Sequence, residues 1–240
     1  MQHTLVSQDE WTAAHTAHLV KEKEFTRARD ALSEARRALP WVKVRKNYIF
    51  DTPEGKQSLA DLFGKNSQLM VYHFMFAPGW KEGCPGCSFI ADHMDGANLH
   101  LAHHDISLVA VSRAPLAEFT PYKKRMGWKF KWVSSNGNDF NFDYHVSATK
   151  DELAKNSMNY NYEQADFATE EMPGISVFYR NEKGEIFHTY SSYARGGDIL
   201  IGAYNFLDMT PKGRNEKEIM DWMKRHDEYE KASSASCCHS

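Results

Sequence analysis

Residues 68–87 of this chain are QLMVYHFMFAPGWKEGCPGC, an apolar run followed closely by two cysteines that are separated by Pro-Gly. The first ten residues have the apolar character of a buried strand, and the Pro-Gly pair that follows them is a typical strand end. From Pro85 onward the apolar spacing is helical, and proline suits the first turn of a helix because its missing N–H would have no partner there. The sequence therefore predicts that Cys84 and Cys87 lie at the N-terminus of a helix that follows a core strand.

This predicted position of the dithiol favours redox chemistry. Unpaired N–H groups and the positive end of the helix dipole stabilise a thiolate at a helix N-terminus, and the thiolate is the nucleophilic form of cysteine. We interpret Cys84 as the attacking thiol and Cys87, one turn further along, as the resolving thiol that releases a mixed disulfide. A structural zinc site is disfavoured because zinc would need two more ligands, and the sequence has no second CxxC motif.

Composition excludes several classes of function. The 240 residues include 29 basic and 32 acidic side chains, giving a net charge of −3 without a strongly basic stretch, so we expect no nucleic acid partner. No apolar stretch approaches the length of a membrane span, and the first residues lack the basic and apolar regions of a signal peptide. The four cysteines form two pairs rather than a disulfide framework. We therefore expect a cytoplasmic protein in which the CxxC motif is catalytic or metal-binding.

The sequence divides into three predicted parts. These are an N-terminal helical extension (1–40), a main domain (41–210), and a C-terminal helix with a flexible tail (211–240). Ser7 and Glu10 have the spacing of a capping box at the start of the extension. The main domain has the order β-α-β-α…β-β-α around the dithiol, which predicts a mixed sheet with helices on both faces. Strands are predicted at 42–50, 68–77 and 106–112, with a hairpin over 174–190; helices are predicted at 58–63, from Pro85 with a bend or break near Gly96, at 114–126, 199–207 and 216–229.

Three long segments of the chain resemble a known family. They are VYHFMFAPGWKEGCPGCSFIADHMDG (71–96), LVAVSRAPLAEFTPYKKRMGWKFKWVSSNGNDFNFDYHVS (108–147) and PGISVFYRNEKGEIFHTYSSYARG (173–196). The family consists of thioredoxin-like proteins of unknown function in bacteria and fungi, catalogued as predicted dithiol–disulfide oxidoreductases. The resemblance implies an α/β, thioredoxin-like fold of the peroxiredoxin-type branch with an N-terminal helical extension. It also implies dithiol exchange with a protein or small-molecule disulfide, without a cofactor.

The resemblance suggests three residues that would contact a substrate. In the thioredoxin fold a cis-proline beside the dithiol offers backbone groups to an extended substrate, and Pro173 holds the corresponding position, with its isomer left open by the sequence. Trp80 either packs in the core or forms a wall of the site. Arg113 is either a surface residue or steadies the thiolate, as an arginine does in peroxiredoxins.

Copper binding is the main alternative to a redox dithiol. Copper chaperones on this fold pair a CxxxC motif with a distant histidine, so Cys84, Cys87 and His145 are an alternative metal site. The tail motif Cys237-Cys238-His239 is a second soft cluster that could hold a metal or act as a mobile resolving thiol. His100 and His104 have ligand spacing on one helical face, but a helix C-terminus by itself favours histidine.

A thiol peroxidase is a further alternative. Peroxiredoxins usually attack from a Thr-x-x-Cys setting, and Lys81 stands at the threonine position here. Peroxide reduction is therefore predicted to be secondary to disulfide exchange. The aromatic-rich stretch 128–144 is either a packed loop over the active site or a self-association surface, since a monomer rarely exposes so much aromatic area. The second reading would make the protein a homo-oligomer.

Overall fold

The N-terminal part of the chain is a single long helix. The computed structural model describes residues 3–229, and its contacts divide the chain into two compact units, Met1–Trp41 and Val42–Ser240. The first unit contains α1 (Gln8–Arg37), which begins at the predicted capping box and buries none of its residues. The predicted N-terminal helix is confirmed.

The second unit contains ten strands and six helices among the described residues. They are β1 (Val42–Lys43), β2 (Ile49–Thr52), β3 (Gly55–Ser58), α2 (Leu59–Leu62), β4 (Gln68–His73), α3 (Pro85–His103), β5 (Ile106–Ser112), α4 (Leu116–Met126), β6 (Lys131–Ser134), α5 (Phe140–Asp143), α6 (Lys150–Lys155), β7 (Met158–Tyr160), β8 (Glu163–Ala165), β9 (Gly174–Arg180), β10 (Ile186–Tyr193) and α7 (Gly202–Asp208). A 3₁₀ turn, Ala194–Leu200, connects β10 to α7. Across residues 3–229, the helices are too short or too polar to cross a lipid bilayer.

The sheet has the strand arrangement of a thioredoxin-like fold. Eight strands lie in the order β1-β10-β9-β4-β5-β6-β2-β3, and β7 and β8 form a separate hairpin. At its centre, β4 and β5 are parallel and joined by α3, while β9 is antiparallel to both β4 and β10. A parallel βαβ unit next to an antiparallel hairpin that is followed by a helix is the core of the thioredoxin fold. The predicted α/β fold is confirmed.

Alternation along β4 separates two apolar cores. Leu69 and Val71 point to one face of the sheet, and Met70 and Tyr72 point to the other, as the period of two in a strand requires. The second face is covered by α3, α4 and α7 and holds the larger core. The dithiol lies on this face because α3 begins directly after the loop that follows β4.

The aromatic-rich stretch 128–144 belongs to both cores rather than to the surface. Trp132 is 1% exposed and Phe140 is fully buried, and the Trp132 ring stacks on Phe119 with centroids 4.6 Å apart. Much of the stretch lies in β6 and α5, two elements that the sequence did not predict. The interpretation of these aromatics as a self-association surface is therefore wrong.

Three further predictions need correction. The predicted strand 42–50 is two short strands in opposite halves of the sheet, since β1 is an edge strand that pairs with β10 while β2 lies between β3 and β6. Each piece is too short to show a period of its own. The predicted helix 216–229 is a series of turns whose charged side chains pair with the rest of the unit. The helix α3 runs without a break through Gly96.

Candidate active site

The two cysteines lie where the sequence places them, at the start of α3. Cys84 is the N-cap residue, and its carbonyl oxygen accepts from the Ser88 N–H at 3.0 Å in the first turn. Both cysteines are free thiols; Cys84 is partly exposed and Cys87 is 2% exposed. The pair therefore offers one thiol to an incoming molecule and keeps the other inside.

The surroundings of the two thiols shift their pKa values in opposite directions. The hydrogen bond from the Cys87 thiol is the largest of the effects that lower the pKa of Cys84 to about 6. The backbone N–H groups of Cys87 and Gly86 and the charge of Arg225 act in the same direction, whereas burial raises this pKa. Burial raises the pKa of Cys87, and the neighbouring Cys84 raises it further. Near neutral pH, Cys84 is the thiolate and Cys87 holds a proton.

Two donors face the Cys87 sulfur. The Met75 N–H donates to it at 3.5 Å. The Tyr72 hydroxyl also lies close to Cys87 and lowers the pKa of its thiol. In this reduced state the buried hydroxyl has no hydrogen bond of good geometry to any described residue. Tyr72 is thus a donor held close to the inner thiol, and sequence reasoning gave no reason to expect it.

Arg225, which the sequence also gave no reason to expect at the site, is a cation whose charge lowers the pKa of Cys84. Its guanidinium donates from Nη2 and Nε to the carbonyl oxygen of Gly83 at 2.9 and 3.3 Å. It also contacts Glu228 at 2.8 Å and Glu82 at 3.3 Å. Arg225 lies 142 positions after Gly83 in the chain. No local sequence pattern could therefore connect it with the dithiol.

Arg225 belongs to a C-terminal segment (residues 216–229) that packs along α3. Glu216 accepts hydrogen bonds from Trp222 Nε1 and from the Tyr204 hydroxyl, both at 2.8 Å. The Trp222 ring meets Phe89 of α3 edge-on at 5.7 Å. These contacts fix the segment against the dithiol helix and make it part of the site.

A cavity of about 260 Å³ adjoins the dithiol. Its lining is mainly apolar: Met75 and Ile90 lie beside the two cysteines, and Ile219 and Met220 of the C-terminal segment form the facing wall. Arg195 and Asp198 add a charged pair to the lining, with 3.1 Å between their nearest atoms. A larger surface cavity of about 720 Å³ is lined without any cysteine or histidine among the described residues. Of these two cavities, the smaller one has the cysteines in its lining.

Pro173 also lines this cavity. All described peptide bonds are trans, including the one before Pro173. The neighbouring backbone groups have partners within the chain, because the Met172 N–H donates to the Val146 carbonyl at 2.8 Å and the Pro173 carbonyl accepts from the Tyr160 hydroxyl at 2.7 Å. The Met172 N–H and the Pro173 carbonyl are therefore already hydrogen-bonded and are not free to bind an extended peptide.

The other predicted site residues lie elsewhere. Arg113 donates from Nε to the buried Glu171 carboxylate at 2.6 Å and lines a different cavity. Its contacts therefore do not support a role beside the thiolate. Trp80 packs against Phe76, with ring centroids 6.5 Å apart, and is not part of the cavity lining. Trp80 matches the packing alternative that the sequence left open, whereas Arg113 is neither a surface residue nor a partner of the thiolate, because it is half-buried against Glu171.

The alternative metal ligands do not converge. His145 is exposed, and no three His, Cys, Asp or Glu side chains among residues 3–229 form a group that could hold a metal ion. Cys84 and Cys87 therefore lack His145 as a third ligand. His100 and His104 are exposed near the end of α3. The predicted tail cluster Cys237-Cys238-His239 lies outside the described residues.

Residues 1–229 match the model of a family described as bacterial protein of unknown function, DUF899. The chain belongs to this family. The match extends through the C-terminal segment, so the residues that wall the dithiol cavity are part of the family's length. A search among curated proteins found no match.

Among solved structures, the chain is similar to several peroxiredoxins. Peroxidoxin BcpB from Mycobacterium tuberculosis aligns with a TM-score of 0.45 at 11% identity, over 68% of this chain and 94% of that protein. Peroxiredoxin Q from Xanthomonas campestris gives 0.45 at 13% identity, over 70% and 96%. A variant of PrxQ from Xylella fastidiosa gives 0.42 at 11%, over 69% and 94%. At such identities, activity has to be argued from this chain's own residues.

Proposed function

We propose that this protein is a thiol–disulfide oxidoreductase that uses Cys84 and Cys87. The observation that carries the proposal is the difference between the two thiols in exposure and pKa. Cys84 is accessible with a pKa of about 6, and Cys87 is buried with a raised pKa one helical turn away. A nucleophile and a protected second thiol are what two-step disulfide exchange needs.

The exchange proceeds in two displacements. The Cys84 thiolate attacks one sulfur of the substrate disulfide, the S–S bond breaks, and the departing thiolate takes a proton from water. Cys87 then gives up its proton and attacks the Cys84 sulfur, which releases the second substrate thiolate. The substrate gains two electrons and two protons, and the protein is left with a Cys84–Cys87 disulfide. A separate thiol reductant is required to return the protein to its starting state.

The residues around the thiols support both steps. Arg225 and the N–H groups at the start of α3 lower the pKa of Cys84, which favours the thiolate for the first attack. Tyr72 and Met75 lower the pKa of Cys87 against its burial, which favours the second. Lys81 is exposed at the position where a peroxidase threonine is expected, and this supports disulfide exchange over peroxide reduction.

The test is capture of the mixed disulfide. In a background with Cys237→Ser and Cys238→Ser, the chain with Cys87→Ser should react with 5,5′-dithiobis(2-nitrobenzoate) and retain one thionitrobenzoate. The same background with both site cysteines intact should release two equivalents and retain none. With Cys84→Ser, the fast phase should disappear. Reaction of Cys84 no faster than that of free glutathione at pH 6.5 would contradict the proposal.

Cu(I) binding is a second candidate, and the thioethers beside the dithiol favour it. A methyl group built on Gly86 would lie 3.3 Å from Met220 Sδ, 3.8 Å from Cys84 Sγ and 3.8 Å from Met223 Cε. Thiolate and thioether sulfurs are the ligands that Cu(I) prefers. Cys84, Cys87 and Met220 would hold the ion, without His145.

Anaerobic titration with Cu(I) against a chromogenic chelator tests this candidate. In the background without tail cysteines, we expect one bound equivalent that is lost with Cys84→Ser and weakened by Met220→Leu. Met209→Leu is the matched control, since Met209 is 85% exposed. Equal affinity in the Cys84→Ser protein would remove this candidate and leave the redox proposal standing.

A further inference from the structure

The cavity beside the dithiol is lined by two different parts of the chain. One wall comes from α3 and the residues before it, and the facing wall comes from Ile219 and Met220 of the C-terminal segment. At about 260 Å³ it lies below the usual range for drug-sized ligands. The space beside Cys84 therefore has the size of a small molecule rather than of a loop on a folded protein.

The polarity of the cavity lining also restricts which substrates can bind. Met75, Ile90, Ile219 and Met220 present apolar atoms to the cavity. Its charged lining residues, Arg195 and Asp198, neutralise each other through their 3.1 Å contact, and Asp198 also meets Arg214 at 3.5 Å. A substrate with several carboxylates would find no unpaired charge in this lining and would have to give up hydration.

The backbone edge that would bind an extended peptide is already in use. The Met172 N–H and the Pro173 carbonyl are paired within the chain, to Val146 and to the Tyr160 hydroxyl. The Tyr160 oxygen also accepts from the Ala194 N–H at 2.9 Å. A protein substrate would have to break these bonds before it could add its own strand at this place.

From these features we infer that the substrate is a low-molecular-weight disulfide with short apolar substituents, not a protein disulfide and not a multiply charged one. The inference rests on the proposed function and specifies its substrate. The apolar substituent occupies the cavity between Ile90 and Ile219, which places its sulfur beside Cys84. The exchange follows the two displacements given above, with two small thiols as products.

The experiment compares three disulfides against the reduced protein without tail cysteines. Diethyl disulfide, glutathione disulfide and insulin are each mixed with it anaerobically, and formation of the Cys84–Cys87 disulfide is followed by quenching with an alkylating reagent and mass spectrometry. Each rate is divided by the rate at which mercaptoethanol reduces the same disulfide. The normalised rate for diethyl disulfide should exceed the other two by at least about tenfold, the value of burying two methylene groups.

Two variants locate the effect in the cavity. Ile219→Asp puts a charge in the apolar wall and should cut the normalised diethyl disulfide rate about tenfold. Leu99→Asp is the matched control, because Leu99 is exposed to a similar extent (67% against 59%) on α3 outside the cavity lining. The iodoacetamide rate at Cys84 is measured in both variants to separate loss of binding from loss of thiolate.

The outcomes are distinguishable. If insulin or glutathione disulfide matches diethyl disulfide, or if Ile219→Asp has no effect, the substrate inference is overturned while the proposed function stands. If none of the three disulfides oxidises the pair in a Cys84-dependent manner, the proposed function fails as well.

Discussion

The guanidinium of Arg225 donates two hydrogen bonds to the carbonyl oxygen of Gly83, the residue immediately before Cys84. One contact joins the C-terminal segment to the loop that carries the nucleophile. It also brings a permanent positive charge to a helix N-terminus, where a thiolate is already favoured. The segment after residue 215 is therefore part of the site's electrostatics.

Replacing Arg225 should raise the pKa of Cys84. Arg225→Met removes a charge that lowers this pKa, so the pH profile of iodoacetamide alkylation at Cys84 should shift to higher pH. At pH 6 alkylation should become about twofold to fivefold slower, because a smaller fraction of Cys84 is thiolate. Lys81→Met is the control: Lys81 is also a cation near Cys84 in sequence, but it is exposed. A shift of equal size in both variants would show that general charge, not Arg225, sets the acidity.

The Cys87 thiol should matter more to the acidity of Cys84 than Arg225 does. The hydrogen bond from Cys87 is the largest of the effects that lower the pKa of Cys84, so Cys87→Ala should raise the midpoint of the alkylation profile above its starting value of about 6. Cys87→Ser keeps a hydroxyl donor at the same position and should retain a lower midpoint than alanine. Identical profiles for the two variants would mean that a hydrogen-bond donor at position 87 does not lower the pKa of Cys84.

Local patterns in the sequence were sufficient for the dithiol and its framework. The capping box at Ser7, the β5 strand over residues 106–112 and the helix stop at Gly127, which has φ +69°, each depend on residues close together in the chain. The position of Cys84 at the start of α3 follows from the neighbouring Pro85 in the same way. Short-range signals of this kind do not depend on tertiary contacts.

The walls of the site could not be predicted because they come from distant parts of the chain. Arg225 is placed by its contact with Gly83, and Tyr72 by the side of β4 on which it falls. Polar composition made residues 216–229 resemble a solvated helix, whereas contacts such as the hydrogen bond between His226 Nδ1 and Asp92, at 2.7 Å, hold them against α3. Arg113 is a similar case: its position after β5 left a surface role and a role beside the thiolate both open, and only the fold shows that Glu171 is its partner.

Removing the Tyr72 hydroxyl should slow the second displacement without lowering the stability of the protein. The hydroxyl is buried without a good hydrogen bond to any described residue, so Tyr72→Phe removes an uncompensated polar group and should leave Tm unchanged or raise it. The same change removes a donor that lowers the pKa of Cys87, so the second displacement should slow several-fold and the mixed disulfide should accumulate. Quenched-flow mass spectrometry with diethyl disulfide measures this intermediate. A lower Tm, with no accumulation, would identify Tyr72 as a packing residue only.

The buried pair formed by Arg113 and Glu171 should give the protein a pH-dependent stability. Glu171 is 2% exposed, and burial raises its pKa to about 7 although Arg113 and Ser147 act against the shift. Because the folded pKa lies above the unfolded value of about 4.5, the native state holds its proton longer than the unfolded chain does. The corresponding stability is complete below pH 4.5 and is lost as the pH rises through about 7.

Urea unfolding at pH 5.5 and pH 8.5 tests this linkage. Relative to Glu171→Gln, the unsubstituted protein should lose roughly 2 kcal/mol of unfolding free energy between these two pH values. Arg113→Met should enlarge the loss, because the carboxylate formed at pH 8.5 would be buried without its ion pair. Glu182→Gln, in the exposed turn between β9 and β10, should reproduce the pH dependence of the unsubstituted protein. If Glu171→Gln shows the same pH dependence as the unsubstituted protein, Glu171 is ionised throughout this range and Arg113 outweighs its burial.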